Sequence, residues 1–236
     1  MRPTLSILRR ELGAYFNTPI GYVFIAFFLL ITCYFFVDGL FISGSAEMRE
    51  YFAGLPFMLL FFIPAVAMRL WSEERKLGTL EVLLTLPIKT WQAVLGKYLA
   101  GMVVVAVMLL FTLHLPIALK IMGNPDFGPI VGGYLGGMVL GMVYLAIGAF
   151  ASSLTSDQIV AFIIAVTINL IFFLMGKASV LRDLSPTVAG VIERFGIQYH
   201  FDSISRGVVD TRDIIYAVTI SGLFLLLNVL VIERRR

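Results

Sequence analysis

The sequence predicts an all-α integral membrane protein with six transmembrane helices. An N-terminal amphipathic interfacial helix precedes them, a short cytoplasmic helix separates the second and third, and short re-entrant or interfacial helices occupy the outer stretch between the fifth and sixth. Three observations predict this. Apolar residues make up 59% of the 236 and charged residues 14%, where a soluble domain carries roughly 45–50% and about 25%. Six apolar runs, near 20–43, 52–70, 98–121, 129–152, 158–175 and 214–232, reach the length that a helix rising about 1.5 Å per residue needs to cross ~30 Å of hydrocarbon. Backbone polar groups cannot go unpaired in lipid, and the ~10-residue alternating segments of a β-barrel are absent, so the runs are read as helices. The spans use up the length, and 1–236 reads as one transmembrane domain.

Before the first span, Leu5, Leu8, Leu12, Tyr15 and Phe16 fall on one helical face of residues 3–16, while Arg9 and Arg10 point elsewhere. The pattern fits a helix lying along the membrane surface, or a plain positively charged anchor. Pro19 separates it from the first span. The fourth span is rich in glycine, and Gly133, Gly137 and Gly141 recur every four residues. That spacing allows close helix packing in lipid, more simply within the chain than between chains. Asn169 is the notable polar group mid-span and is expected to bond a neighbouring helix.

The stretch 176–213 is too polar to span. Ser185-Pro186 reads as a cap followed by proline in the first turn, and Leu184, Val188, Val191, Ile192 and Phe195 form an apolar stripe after it. Asp210 can cap the last span, with Asp213 in its first turn.

Lysine and arginine set the orientation. With six spans, one side holds Arg2, Arg9, Arg10, Arg69, Arg75, Lys76, Lys89, Lys97, Arg234, Arg235 and Arg236. The other holds Arg49, Lys120, Lys177, Arg182, Arg194, Arg206 and Arg212, five of them in the one long segment. The first side, with both termini, is therefore expected in the cytoplasm. The net charge of +3 is modest and gives no reason to expect nucleic acid.

The densest charge falls between spans two and three. Ser72 can cap a helix, Glu73 and Glu74 occupy its positive end, and Pro87 stops it. Leu77, Leu80, Leu83 and Leu84 form one stripe; Glu74, Gly78, Glu81 and Thr85 form another. The residues alone leave open whether this helix, 72–86, is an ordinary amphipathic loop or a docking element.

The stretch "MRLWSEERKLGTLEVLLTLPIKTWQAVLGKYLAG" resembles the corresponding loop of ABC-2 type transporter permeases. It is most similar to the gliding-motility GldF-like branch in its Glu-Glu-Arg run, Gly78-Thr79-Leu80-Glu81, Leu83-Leu84-Thr85-x-Pro87 and Gly96-Lys97. "ASSLTSDQIVAF" and "HFDSISRGVVDTRDIIY" match the same branch in the same order. The resemblance implies that 72–86 is the coupling helix. It would dock on a separate ABC ATPase through Glu73, Glu74, Arg75, Lys76, Gly78, Thr79 and Glu81, with the Arg9–Arg10 helix bracing the same subunit. It further implies two ATPase copies, a second permease chain, an exporter in the bacterial cytoplasmic membrane, and an accessory protein with a large outer domain.

No phosphate-binding loop is present: Gly96-Lys97 and Gly176-Lys177 lack the upstream glycine and the following Ser or Thr. ATP and magnesium are expected on the partner, and this chain is not expected to be an enzyme. His114 sits inside the third span. His200, with Asp202, Arg206 and Asp210, lies in the outer segment, where three scattered ligands make a weak metal site and a surface role is the better reading. The single Cys33 excludes internal disulfides. The central spans lack carboxylates, which argues against a self-contained ion-coupled transporter or channel. A membrane scaffold passing ATPase motion to an outer partner is the remaining alternative.

Overall fold

The computed structural model describes every residue except 1, 44–46, 86, 124, 183–184, 208–209 and 235–236, so Leu184, Arg235 and Arg236 of the patterns above lie outside the described residues. Among the described residues the regular structure is helix alone, with no strand, and six helical segments are long and apolar enough to cross a membrane.

Helix α1 (Arg2–Phe16) turns at Asn17–Thr18 into α2 (Pro19–Ser43). Proline opens α2, where its missing N–H costs nothing. The elbow is tight because residue 21 is glycine: a Cβ there would meet the Tyr15 carbonyl oxygen at 2.3 Å. α3 (Arg49–Ala67) is followed after one residue by α4 (Arg69–Lys76), and the pair makes one 28-residue span. The second span is thus longer than its apolar run, with charged residues inside its last two turns.

The third span starts before its predicted position, at Thr90, and is broken. α6 (Thr90–Phe111) gives way to α7 (His114–Met122) at Thr112–Leu113. Pro116 has no N–H to offer the Thr112 carbonyl four residues back. That oxygen instead accepts from Leu115 N at 3.0 Å and from the Tyr134 hydroxyl at 3.0 Å. The His114 ring closes the same corner, its Nδ1 donating to the Phe111 carbonyl at 2.7 Å.

Helix α8 (Phe127–Leu154) is the central pillar, packed by α3, α6, α9 (Gln158–Met175), α12 (Ile197–Ser205) and α13 (Thr211–Glu233). Its glycines make this possible. A Cβ at Gly133 would fall 2.4 Å from the Phe52 ring, at Gly141 2.9 Å from Val105, and at Gly148 2.4 Å from the Ala67 Cβ. Gly137 is looser, 3.2 Å from Leu55. The four-residue spacing therefore serves packing within the chain. α9 begins where expected, capped by Asp157, whose carboxylate accepts from Ile159 N and Val160 N.

Between α9 and α13 lie α10 (Ala178–Leu181), α11 (Pro186–Phe195) and α12. α11 starts at Pro186 as expected, although the Ser185 side chain makes no capping bond. α12 is a packed re-entrant piece with Ile197, Phe201 and Ile204 buried. Asn169 departs from expectation: it is fully buried, and neither amide atom has a hydrogen-bond partner among the described residues.

Candidate functional site

With six spans the two termini share one end of the bundle, and the charge cluster sits there with them. The helix expected over 72–86 is in fact two. α4 carries the second span to Lys76, the chain turns at Leu77–Gly78, and α5 (Thr79–Thr85) follows. Gly78 has φ +70°, the left-handed region in which a glycine is favoured. Ser72 is no cap: it is buried mid-helix, its hydroxyl donating back to the Met68 carbonyl. Ser152 of α8 ties the α3–α4 joint. Its hydroxyl donates to the Met68 carbonyl at 2.7 Å and accepts from Trp71 N and Ser72 N at 3.0 and 3.1 Å.

Helix α1 packs against α6 and α2. Its inner face is Ile7 and Tyr15, both buried, rather than Leu5, which is exposed. Ile7 seats on Gly96 of α6, where a Cβ would meet the Ile7 side chain and the Thr4 carbonyl at 3.0 Å. The Tyr15 hydroxyl donates to the Val66 carbonyl at 2.7 Å. Burial pushes the Tyr15 phenol far above its ordinary range.

Where α1, α4 and α6 meet, four charges cancel. Lys97, only 1% exposed, places Nζ 2.9 Å from Glu11 Oε1 and 3.1 Å from Glu74 Oε1, with the Trp71 ring 5.0 Å away. Arg10 donates through Nη2 to the same two carboxylates. Burial alone would raise the Glu11 carboxyl, but the Lys97 ammonium and the Arg10 hydrogen bond outweigh it and hold it below the usual carboxylate value. Beside this cluster Glu73 takes Arg69 in a two-point contact at 2.7 and 3.1 Å. Arg75 donates to the Ser153 carbonyl at 3.0 Å, placing a cation at the negative end of α8.

Of the expected contact positions, Glu73, Glu74 and Arg75 are half-buried and have partners inside the chain. Arg9 and Arg10 are both exposed, Arg10 reaching over the cluster to Glu11 and Glu74. What projects from the end is the turn and α5: Lys76, Gly78, Thr79 and Glu81 are exposed, flanked by Leu77 at 68% and Val82 at 64%. Leu80 and Leu83 point the other way and are buried. The sequence had shown Gly96-Lys97 as a motif without a role; its role is to admit α1 and to hold the buried cation.

At the far end, His200, Asp202 and Asp210 are not gathered. Asp210 caps α13 as expected, accepting from Arg212 N at 2.9 Å. Asp202 accepts from Gln198, and Arg206 is exposed at the end of α12. His200 pairs instead with Asp213. Among the described residues no group of three or more His, Cys, Asp or Glu is placed to hold a metal ion.

Six apolar helices around a glycine-faced pillar, with the short α5 hung from one end, define an all-α multi-pass membrane protein. Residues 23–194 match the family of ABC-2 family transporter proteins. That match covers well over half of the chain, and the chain belongs to this family: it is a permease component of an ABC transporter. Membership implies an ABC ATPase partner. No curated relative matches the chain.

Proposed function

We propose that this chain is the membrane subunit that converts ATP hydrolysis by a separate ATPase into movement of its spans, and that α5 with the Leu77–Gly78 turn is the surface the ATPase holds. One observation carries the reading. At the end bearing both termini, Arg69, Glu73, Glu74 and Arg75 of α4 have partners within the chain, and Lys76 is left exposed beside a compact tip in which Leu77 and Val82 flank Gly78, Thr79 and Glu81. Such a tip suits a protein cleft: apolar side chains supply the contact, the glycine permits close backbone approach, and Lys76 and Glu81 set the register.

On this reading the tip and both termini face the cytoplasm of a bacterium, and two permease chains pair above two ATPases. Substrate moves outward through a path between the chains. The resemblance to the GldF-like branch supports an accessory protein on the far side, with α10 to α12 as the surface nearest to it. ATP and magnesium belong to the partner.

The test is co-purification of the chain with its cognate ATPase. Val82→Asp and Glu81→Lys are expected to weaken capture at least tenfold, the scale of about 1.4 kcal/mol. Capture at wild-type strength with both substitutions together would remove α5 as the docking surface.

A further inference from the structure

The stretch from His200 to Asp213 has no part in the docking tip, yet its two ends meet inside the protein at the far end of the bundle. His200 Nδ1 lies 2.7 Å from Asp213 Oδ1, and His200 Nε2 lies 2.9 Å from the Arg194 carbonyl oxygen. Both side chains are buried, His200 at 9% and Asp213 at 3% exposure. The imidazole stacks on Tyr216 at 4.0 Å between centroids, and the Tyr216 hydroxyl donates to the Phe195 carbonyl at 2.6 Å. One cluster thus joins the end of α11, the middle of α12 and the first turns of α13.

The protons can be counted from the partners. A carbonyl oxygen only accepts, so Nε2 carries a hydrogen. A neutral imidazole then turns the lone pair of Nδ1 toward a carboxylate oxygen 2.7 Å away, and two acceptors at that distance repel. The contact is attractive only when one more proton lies between Nδ1 and Oδ1, whether it sits on the ring or on the acid. The other Asp213 oxygen has no hydrogen-bond partner among the described residues, so nothing else there compensates the carboxylate.

We propose that His200 and Asp213 form a protonation-gated latch that fixes the α11–α12 hairpin to the last span. The groups around it can be named element by element. α8 faces it with the apolar Val139, Leu140 and Val143, and α12 adds Tyr199, edge-on at 5.3 Å. Asp202 of α12 is bound to Gln198. α13 offers Tyr216, stacked on the ring, along with the capping Asp210 and the exposed Arg212. α11 contributes the Arg194 carbonyl, while its Glu193 lines a polar groove of about 370 Å³ on the other side of α12. His200 is the one salt-bridge partner of Asp213 among the described residues. The sign follows: the latch holds while the pair keeps the shared proton and loosens as pH at the far face rises enough to remove it. Because Glu193, Tyr199, Asp202 and Arg206 line that groove, release of the hairpin would reshape the far-side polar surface.

The experiment uses the full chain in lipid nanodiscs, with spin labels at Val188→Cys on α11 and Phe127→Cys at the start of α8, both exposed sites, in a Cys33→Ser background. Distance distributions are recorded from pH 5 to pH 9. The wild-type pair is expected to give one narrow distance at low pH and a growing second population as pH rises. The ratio of the two should change by no more than tenfold per pH unit, as one proton requires. Asp213→Asn should give the narrow distance at every pH, because its amide donates to the Nδ1 of a neutral ring. His200→Ala should be broad throughout. Should the asparagine variant fail to fold, the ¹⁵N shifts of the His200 ring in the otherwise unaltered chain must follow the same transition. A distance distribution unchanged across the range, a pH response that survives in Asp213→Asn, or ring shifts that move without the distance would each overturn the latch.

Discussion

Lys97 is the residue on which the docking end is built. Its hydration is lost on burial, and Glu11 and Glu74 offset that loss only because both lie within about 3 Å of Nζ. Lys97→Met is therefore expected to destabilise the chain by ~3–5 kcal/mol, since it leaves two buried carboxylates to the exposed Arg10 alone. Adding Glu11→Gln and Glu74→Gln should recover much of that loss, and denaturant unfolding in detergent reads both. The cluster also sets an acid limit. The Glu11 carboxyl is held below its ordinary value in the folded state, so its contribution is present at neutral pH and is lost as pH falls through that lowered value. Thermal stability should fall on acidification below the usual carboxylate range, and Glu11→Gln should flatten that fall. None of this was legible in the sequence. Lys97 read as a cation at the inner end of a span, because its partner Glu11 lies 86 positions away and no local pattern reports so distant a contact. The packing of α1 was hidden for a related reason: the face a helix buries against protein depends on its neighbour, and α6 takes the side of Ile7.

Among the elements, the spans were legible and their interruptions were not. Hydropathy locates a membrane helix because lipid imposes it along the whole run. A joint depends instead on single residues. Pro116 does break the third span, but it acts four residues upstream at Thr112, and Tyr134 of α8 completes the joint. Gly78 was visible as a glycine, yet only a φ of +70° divides the expected helix 72–86 into the tail of a span and a separate α5. Nothing lies within 4 Å of a Cβ at that position, so Gly78→Ala should cost about 1–2 kcal/mol from the backbone alone. If α5 is the docking surface, its lost angle should also weaken ATPase capture. The glycines of α8 separate by the contacts they permit. At Gly137 the neighbour is the flexible Leu55 side chain at 3.2 Å, and at Gly148 it is the Cβ of another helix at 2.4 Å. Gly137→Ala should shift the melting temperature little. Gly148→Val should overpack the α3–α8 crossing and cost about 1–3 kcal/mol.

For the whole molecule, the consequence of the charge cluster is mechanical. α1 is tied to α6 by Ile7 on Gly96, to the second span by Tyr15 on the Val66 carbonyl, and to α4 by Arg10 on Glu74. α4 is tied to the pillar through Ser152 and Arg75. A force on α5 cannot move its own span alone; it has to turn α1, α4 and the start of α6 as one body against α8. Binding of the ATPase and transmission of its stroke are therefore separable. Gly96→Leu forces α1 off α6 while leaving the α5 tip untouched. The complex is expected to assemble and to hydrolyse ATP, but the stroke should no longer reach α2. Cys33, the single cysteine, lies partly exposed on α2 and serves as the reporter. In the wild-type complex its rate of maleimide labelling should change when ATP is added; in Gly96→Leu the rate should stay the same with and without ATP while ATPase capture persists. A wild-type ATP response in that variant would show that α1 takes no part in transmission, and loss of capture would show that it belongs to the docking surface itself.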